Sequence, residues 1–157
     1  MIARYRTGPA SVANLAAPQI TVTRTRRDGA DTVLDPRVIA RSASRVDLFT
    51  DATSHTVTAA TAEGLALDPS DHLYDTDQTR GWTWGLEAHG VPPDGVQVRL
   101  RVRGDGPLPL RVVSHHPGLP HVPEFEPMPD DLTQTSFTRF PTLVARTYDI
   151  PLEVTAQ

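Results

Sequence analysis

Between Val96 and Val112 the side chains alternate between apolar and polar, break, and alternate again. Val96, Val98, Leu100 and Val102 interleave with Gln97, Arg99, Arg101 and Arg103. A period of two places the four aliphatic residues on one face and the arginines on the other, the pattern of a half-buried strand. Gly104-Asp105-Gly106-Pro107 ends that run as a turn. Leu108, Leu110 and Val112 then resume the alternation, and a second strand is expected to return beside the first.

The rest of the chain reads in the same idiom. Residues 1–18 show no period, and Pro18 closes them as a linker or edge segment. Ile20 and Val22 alternate with threonines over Gln19 to Arg24, a β-branched strand followed by a turn at Arg26-Arg27-Asp28-Gly29. Strands are expected over Arg37 to Ser44 and Arg45 to Thr50. Thr56 to Leu67 reads as a tight hairpin about Ala62-Glu63-Gly64, where the glycine takes the positive φ. Gly81 to Glu87 is a strand carrying Trp82, Trp84 and Leu86 on one face. Pro117, Pro120, Pro123, Pro127, Pro129 and Pro141 forbid a helix between residues 115 and 141, which leaves a long proline-rich loop. Thr142 to Ile150 is the last strand.

About eight short, mostly antiparallel strands without an amphipathic helix imply an all-β fold. The expected form is a single β-sandwich, immunoglobulin-like or jelly-roll-like, over residues 19–157. A chain of 157 residues suits one domain and buries a core without staples. The absence of cysteine excludes disulfides and thiolate metal sites. All 15 basic residues are arginine, which GC-rich coding explains, and the formal charge of -4 argues against nucleic acid as a partner. No apolar run reaches the roughly 20 residues needed to span a bilayer, so this segment is not expected to insert into a membrane. It is expected to be soluble as it stands and can be a piece of a longer protein.

Three constellations offer chemistry. His115, His116, His121 and Glu124 are zinc-ligand types close in sequence, but neighbouring strand residues point to opposite faces, so a structural role is preferred for the histidines. Trp82 and Trp84, with Tyr74 as a third contact, form a sugar-stacking platform if exposed and core if buried; core is preferred. Asp68, Asp71, Asp75 and Asp77 lack the glycine and terminal glutamate of a calcium loop. No GxSxG elbow and no phosphate-cradling loop with lysine is present, and no catalytic residue is assigned.

The phrases WGLEAHGVPPDGVQVRLRVRGDGPLPLRVVSHHPGLPHVP, PMPDDL and TLVARTYDI, with AAPQITVT and TAATAEGLAL before them, carry a resemblance. Taken in order, they resemble the C-terminal extracytoplasmic region of membrane-anchored zinc aminopeptidases, family twenty-eight of the metallopeptidases, of the actinobacterial type. The resemblance implies a β-rich tail that follows a two-zinc peptidase domain and transmembrane helices. No HxD strand end and no Glu-Glu pair of the peptidase domain occurs here, so no catalytic role transfers to any residue of this chain. The resemblance thus implies a non-catalytic accessory domain without a cofactor of its own, on the extracytoplasmic face of a bacterial membrane. Its partner would be the parent peptidase domain or another protein. A carbohydrate-binding module using Trp82 and Trp84, and a metal-dependent enzyme at His115, His116 and His121, stand as alternatives.

Overall fold

In the computed structural model, residues 13–51, 54–68, 82, 84–118, 120, 122 and 142–153 are described. They form nine strands and no helix: β1 Gln19–Asp28, β2 Asp31–Ile39, β3 Arg45–Thr50, β4 His55–Ala62, β5 Leu65–Leu67, β6 Trp84–His89, β7 Val96–Gly104, β8 Leu108–His116 and β9 Thr142–Ile150. No helix of these residues is long and apolar enough to cross a membrane. A five-stranded sheet runs in the order β1-β2-β7-β4-β5 and a four-stranded sheet in the order β6-β3-β8-β9, every pairing antiparallel. The fold is a β-sandwich.

The alternation in β7 and β8 decides their faces as expected, but the two are not hydrogen-bonded neighbours. β7 lies in the five-stranded sheet between β2 and β4, and β8 lies in the other between β3 and β9. The Gly104–Pro107 link crosses from one layer to the other, with Gly104 at φ 151° and Gly106 at φ 75°. Leu100, Val98 and Val102 therefore share one core with Leu108, Leu110 and Val112 of the opposite layer. Leu34, Leu48, Leu100, Leu108 and Leu110 are fully enclosed. Removing each of these from water contributes about 1.5–3 kcal/mol before conformational entropy is charged against it.

One other expectation changes. The second strand begins at Asp31 and ends at Ile39, and Arg41-Ser42 turns the chain with Ser42 at φ 62°. Its Pro36 sits inside a central strand, where the missing N–H would break a ladder. The register of β1 shifts between Val22 and Thr25, opposite Pro36, and this bulge accommodates it. The hairpin of β4 and β5 forms as expected, with Glu63 (φ 49°) and Gly64 (φ 79°) as its two left-handed corner residues. On the side where β1 and β9 end their sheets, Tyr148 Oη donates to the Pro18 carbonyl at 2.5 Å and ties the chain entering β1 to β9.

Candidate functional site

The outer face of the five-stranded sheet is built from the residues that alternate with its core. The register of β2 on β7, Val33 opposite Arg101 and Arg37 opposite Gln97, places Asp31 and Asp35 beside the arginine row. Arg99 donates from Nε to Asp35 Oδ1 at 2.6 Å and from Nη2 to Oδ2 at 3.0 Å. Arg101 and Arg103 each donate from Nε to one oxygen of Asp31 at 2.8 Å, and Thr58 Oγ1 adds a bond at 3.2 Å. Arg101 Nη2 also lies 3.1 Å from Asp28 on β1.

The burial is one-sided. The carboxylates sit at the sheet surface beneath the guanidiniums, with the Asp31 side chain 7% exposed, whereas Arg99 is 58% and Arg103 60% exposed. Asp31 is held ionised by its bonds from Arg101 and then Arg103, against the cost of burial, and its carboxyl titrates below the ordinary range. Asp35 is lowered by Arg99 first, with the fields of Arg24 and Arg26 adding to it; Arg99 is raised in turn. The result is a set of guanidiniums held by carboxylates at alternate positions of β7, positions that lie about 6.7 Å apart along the strand.

Two hollows lie on this face and share Arg99 and Thr61. The larger, about 310 Å³, is lined by Thr23, Asp35, Thr61, Gln97 and Arg99 among others. The smaller, about 150 Å³, has Val33 and Ala59 in its lining together with Arg26, Arg99 and Arg101.

The outer face of the four-stranded sheet carries a second, more enclosed network. Arg45 Nε and Nη2 donate to the two oxygens of Asp47 at 2.6 and 2.9 Å, and Nη2 also reaches Glu87 at 2.7 Å. His115 Nε2 lies 2.7 Å from Asp47 Oδ2, and His89 lies 3.4 Å from Glu87. His115 therefore belongs to an ion-pair network whose carboxylates come from β3 and β6.

His116, the adjacent residue, points the other way. Its Nε2 is 3.0 Å from Ser114 Oγ. A serine beside a histidine has the form of an activated nucleophile. Here Ser114 is 0% exposed and its hydroxyl donates to the Val144 carbonyl at 3.3 Å, so no substrate reaches it. The two histidines do not converge, and among the described residues no three His, Asp or Glu side chains are grouped to hold a metal ion. His121, Glu124 and Tyr74 lie outside the described residues.

The tryptophans separate as well. Trp84 opens β6 and is 5% exposed, in the core with Leu86. Trp82 lies ahead of the strand and is half-buried, with the Arg111 guanidinium 5.9 Å from its ring centroid. Arg111 belongs to the outward-facing set of β8, so the two indoles do not present a common platform. The carboxylates that organise both outer faces, Asp31, Asp35 and Asp47, carry no signal in the sequence that singles them out. Alternation marks the arginines, but only strand register brings the aspartates to them. Neither a protein-family model, nor a curated protein sequence, nor a solved structure matches the chain.

Proposed function

We propose that this chain is a non-catalytic interaction domain, an accessory module of a membrane-bound zinc peptidase on the extracytoplasmic side, that works by docking on the peptidase domain or on a partner. The observation that carries the interaction reading is the outer face of the five-stranded sheet, where exposed guanidiniums are fixed in place by carboxylates beneath them. Fixed donors lose little freedom on meeting a partner, which favours recognition. Side chains suited to chemistry support the same reading: Ser114 is enclosed and engages the half-buried His116, and His115 engages Asp47. The peptidase connection rests on the sequence resemblance alone. Zinc belongs, on this reading, to the parent peptidase domain.

The test is direct. The purified chain, supplied with zinc and a panel of aminoacyl nitroanilides, is expected to show no turnover. Turnover that survives repurification and disappears in His116→Ala or His115→Ala would overturn the proposal. Sequencing the native reading frame tests the peptidase part separately: a frame lacking any upstream peptidase domain removes it and leaves the interaction reading standing.

A further inference from the structure

Among the described residues the two sheets end in β1, β5, β6 and β9, and three of these edges are guarded. β1 carries the bulge between Val22 and Thr25 together with Arg24, Arg26 and Arg27. β5 is only three residues long. β6 begins with Trp84, Gly85 and Leu86 buried. β9 has none of these protections. It pairs with β8 along all nine residues without a bulge. Its middle residues Ala145, Arg146 and Thr147 are all exposed, so both of its faces meet solvent there, and Leu143 is 56% exposed.

Ladder phase fixes which backbone groups of β9 look outward. The Gly90 N–H donates to the Ser44 carbonyl at 2.9 Å, one step past the Arg45–His89 pair of β3 and β6. Bonded and non-bonded pairs alternate in an antiparallel ladder, so Val46 and Leu48 bond to β6, while Arg45, Asp47 and Phe49 bond to β8. By the same alternation Val112 and Ser114 of β8 bond to Arg146 and Val144 of β9. The N–H and C=O groups of Leu143, Ala145, Thr147 and Asp149 therefore point away from the sheet. Among the described residues no other backbone group bonds to them.

We infer that this edge pairs antiparallel with the same edge of a second copy of the chain, joining two four-stranded sheets across a two-fold axis at Thr147. The residues of β9 select both the occupant and the register. With Thr147 opposite itself, Ala145 faces Asp149 of the second copy, Arg146 faces Tyr148, Val144 faces Ile150 and Leu143 faces Pro151. Apolar residues then meet apolar ones, and threonine opposite threonine is a favoured cross-strand pair. The Arg146 guanidinium already covers the Tyr148 ring of its own strand at 4.9 Å, and this register offers it a second such ring. Pro151 falls at the end of the paired stretch, where a missing N–H is tolerated. An axis at Arg146 would instead set two guanidiniums directly opposite each other, and an axis at Ala145 would set Val144 against Arg146. About six ladder bonds and little side-chain area make a weak dimer, with Kd on the order of 10–100 µM. Self-pairing of this kind holds whether or not a peptidase domain is also a partner, and mass rather than turnover reads it.

Sedimentation equilibrium of the complete 157-residue chain, from about 1 to about 500 µM, is expected to show a reversible monomer–dimer equilibrium. Thr147→Lys sets two ammonium groups opposite each other at the axis and leaves every backbone bond to β8 in place. It is expected to raise the dissociation constant roughly fivefold. Ala145→Pro removes one outward donor from each copy, a change that an edge strand tolerates, and is expected to raise the constant at least about tenfold. Thr21→Lys, exposed on the other long edge β1, is expected to leave it unchanged. Circular dichroism and thermal melts establish that each variant is folded. The proposal falls if the parent chain stays monomeric across the range or grows beyond a dimer. It also falls if neither folded β9 variant weakens the dimer, or if Thr21→Lys weakens it as much as they do. Any of these leaves the interaction-domain proposal to its own test, which reads turnover and gene context.

Discussion

Arg99 on β7 grips Asp35 on β2 in a two-bond fork, Nε to Oδ1 at 2.6 Å and Nη2 to Oδ2 at 3.0 Å, across 64 positions of sequence. Asp31 makes the equivalent contacts with Arg101 and Arg103. Both carboxyls are lowered in the folded state, each chiefly by the hydrogen bond from its arginine. The sign comes from linkage. A carboxyl whose folded pKa lies below its unfolded value of about 3.9 contributes stability above that pH and loses it as pH falls through the folded pKa. Urea unfolding is therefore expected to be flat in this contribution near neutrality and to weaken below about pH 4. Asp35→Asn should lower stability at neutral pH by about 1 kcal/mol or less, since Arg99 is well exposed to solvent. Its difference from the parent should shrink as pH falls below about 4. A difference that grows with acidification contradicts the assignment.

Gly104 carries the crossing from β7 to the other layer at φ 151°. A Cβ there would lie 2.6 Å from His55 Cδ2 and 2.8 Å from the Ser54 carbonyl oxygen. His55 is buried and cannot swing aside into solvent. Gly104→Ala is expected to cost on the order of 2–3 kcal/mol through strain and contact together. Gly106→Ala, in the same link with open space around its Cβ position, should cost less, because only its φ of 75° is penalised. Thermal melts of the two variants check the order; equal losses would show that the link moves freely.

The face each side chain takes is legible in the sequence wherever alternation is clean, as in β3, β7, β8 and β9. What alternation cannot specify is which layer a strand joins. Leu100 and Leu110 both face the core, and nothing local says that they reach it from opposite sides. The start of β2 is hidden because Asp31-Thr32-Val33-Leu34-Asp35-Pro36 brackets its apolar pair with residues that disfavour strands. Those residues are accommodated at long range: Asp31 and Asp35 by arginines of β7, and Pro36 by the bulge in β1. The same dependence hides the candidate site. Three arginines on one face read as a solvated edge until the register supplies their carboxylates and sets the grooves between them.

Asp47 is the hub of the opposite face. It accepts two bonds from Arg45 and one from His115, with its side chain 5% exposed. Asp47→Ala removes three hydrogen bonds at a nearly buried carboxylate but leaves Arg45 with Glu87 at 2.7 Å, and is expected to cost about 1–3 kcal/mol. His115→Gln keeps a donor near the carboxylate and should cost about 1 kcal/mol. Urea denaturation of both variants, with their double mutant, gives the coupling. Additive losses would show that His115 and Asp47 act independently despite the 2.7 Å approach.

The two indoles separate the interaction face from a sugar platform by spectroscopy. Trp84 is enclosed with Leu86 and the core valines, whereas Trp82 sits half-buried beside Arg111. Trp82→Phe should therefore leave a single emitter with a blue-shifted spectrum that iodide quenches poorly. Trp84→Phe should leave a redder, readily quenched emitter, and should also destabilise the fold by about 1–3 kcal/mol through imperfect refilling of the core. A stacking platform needs both rings in solvent. If Trp84 emission in the Trp82→Phe variant is red and moves on addition of glycans, the indoles face outward together and the sugar-binding reading replaces the one argued from the arginine face.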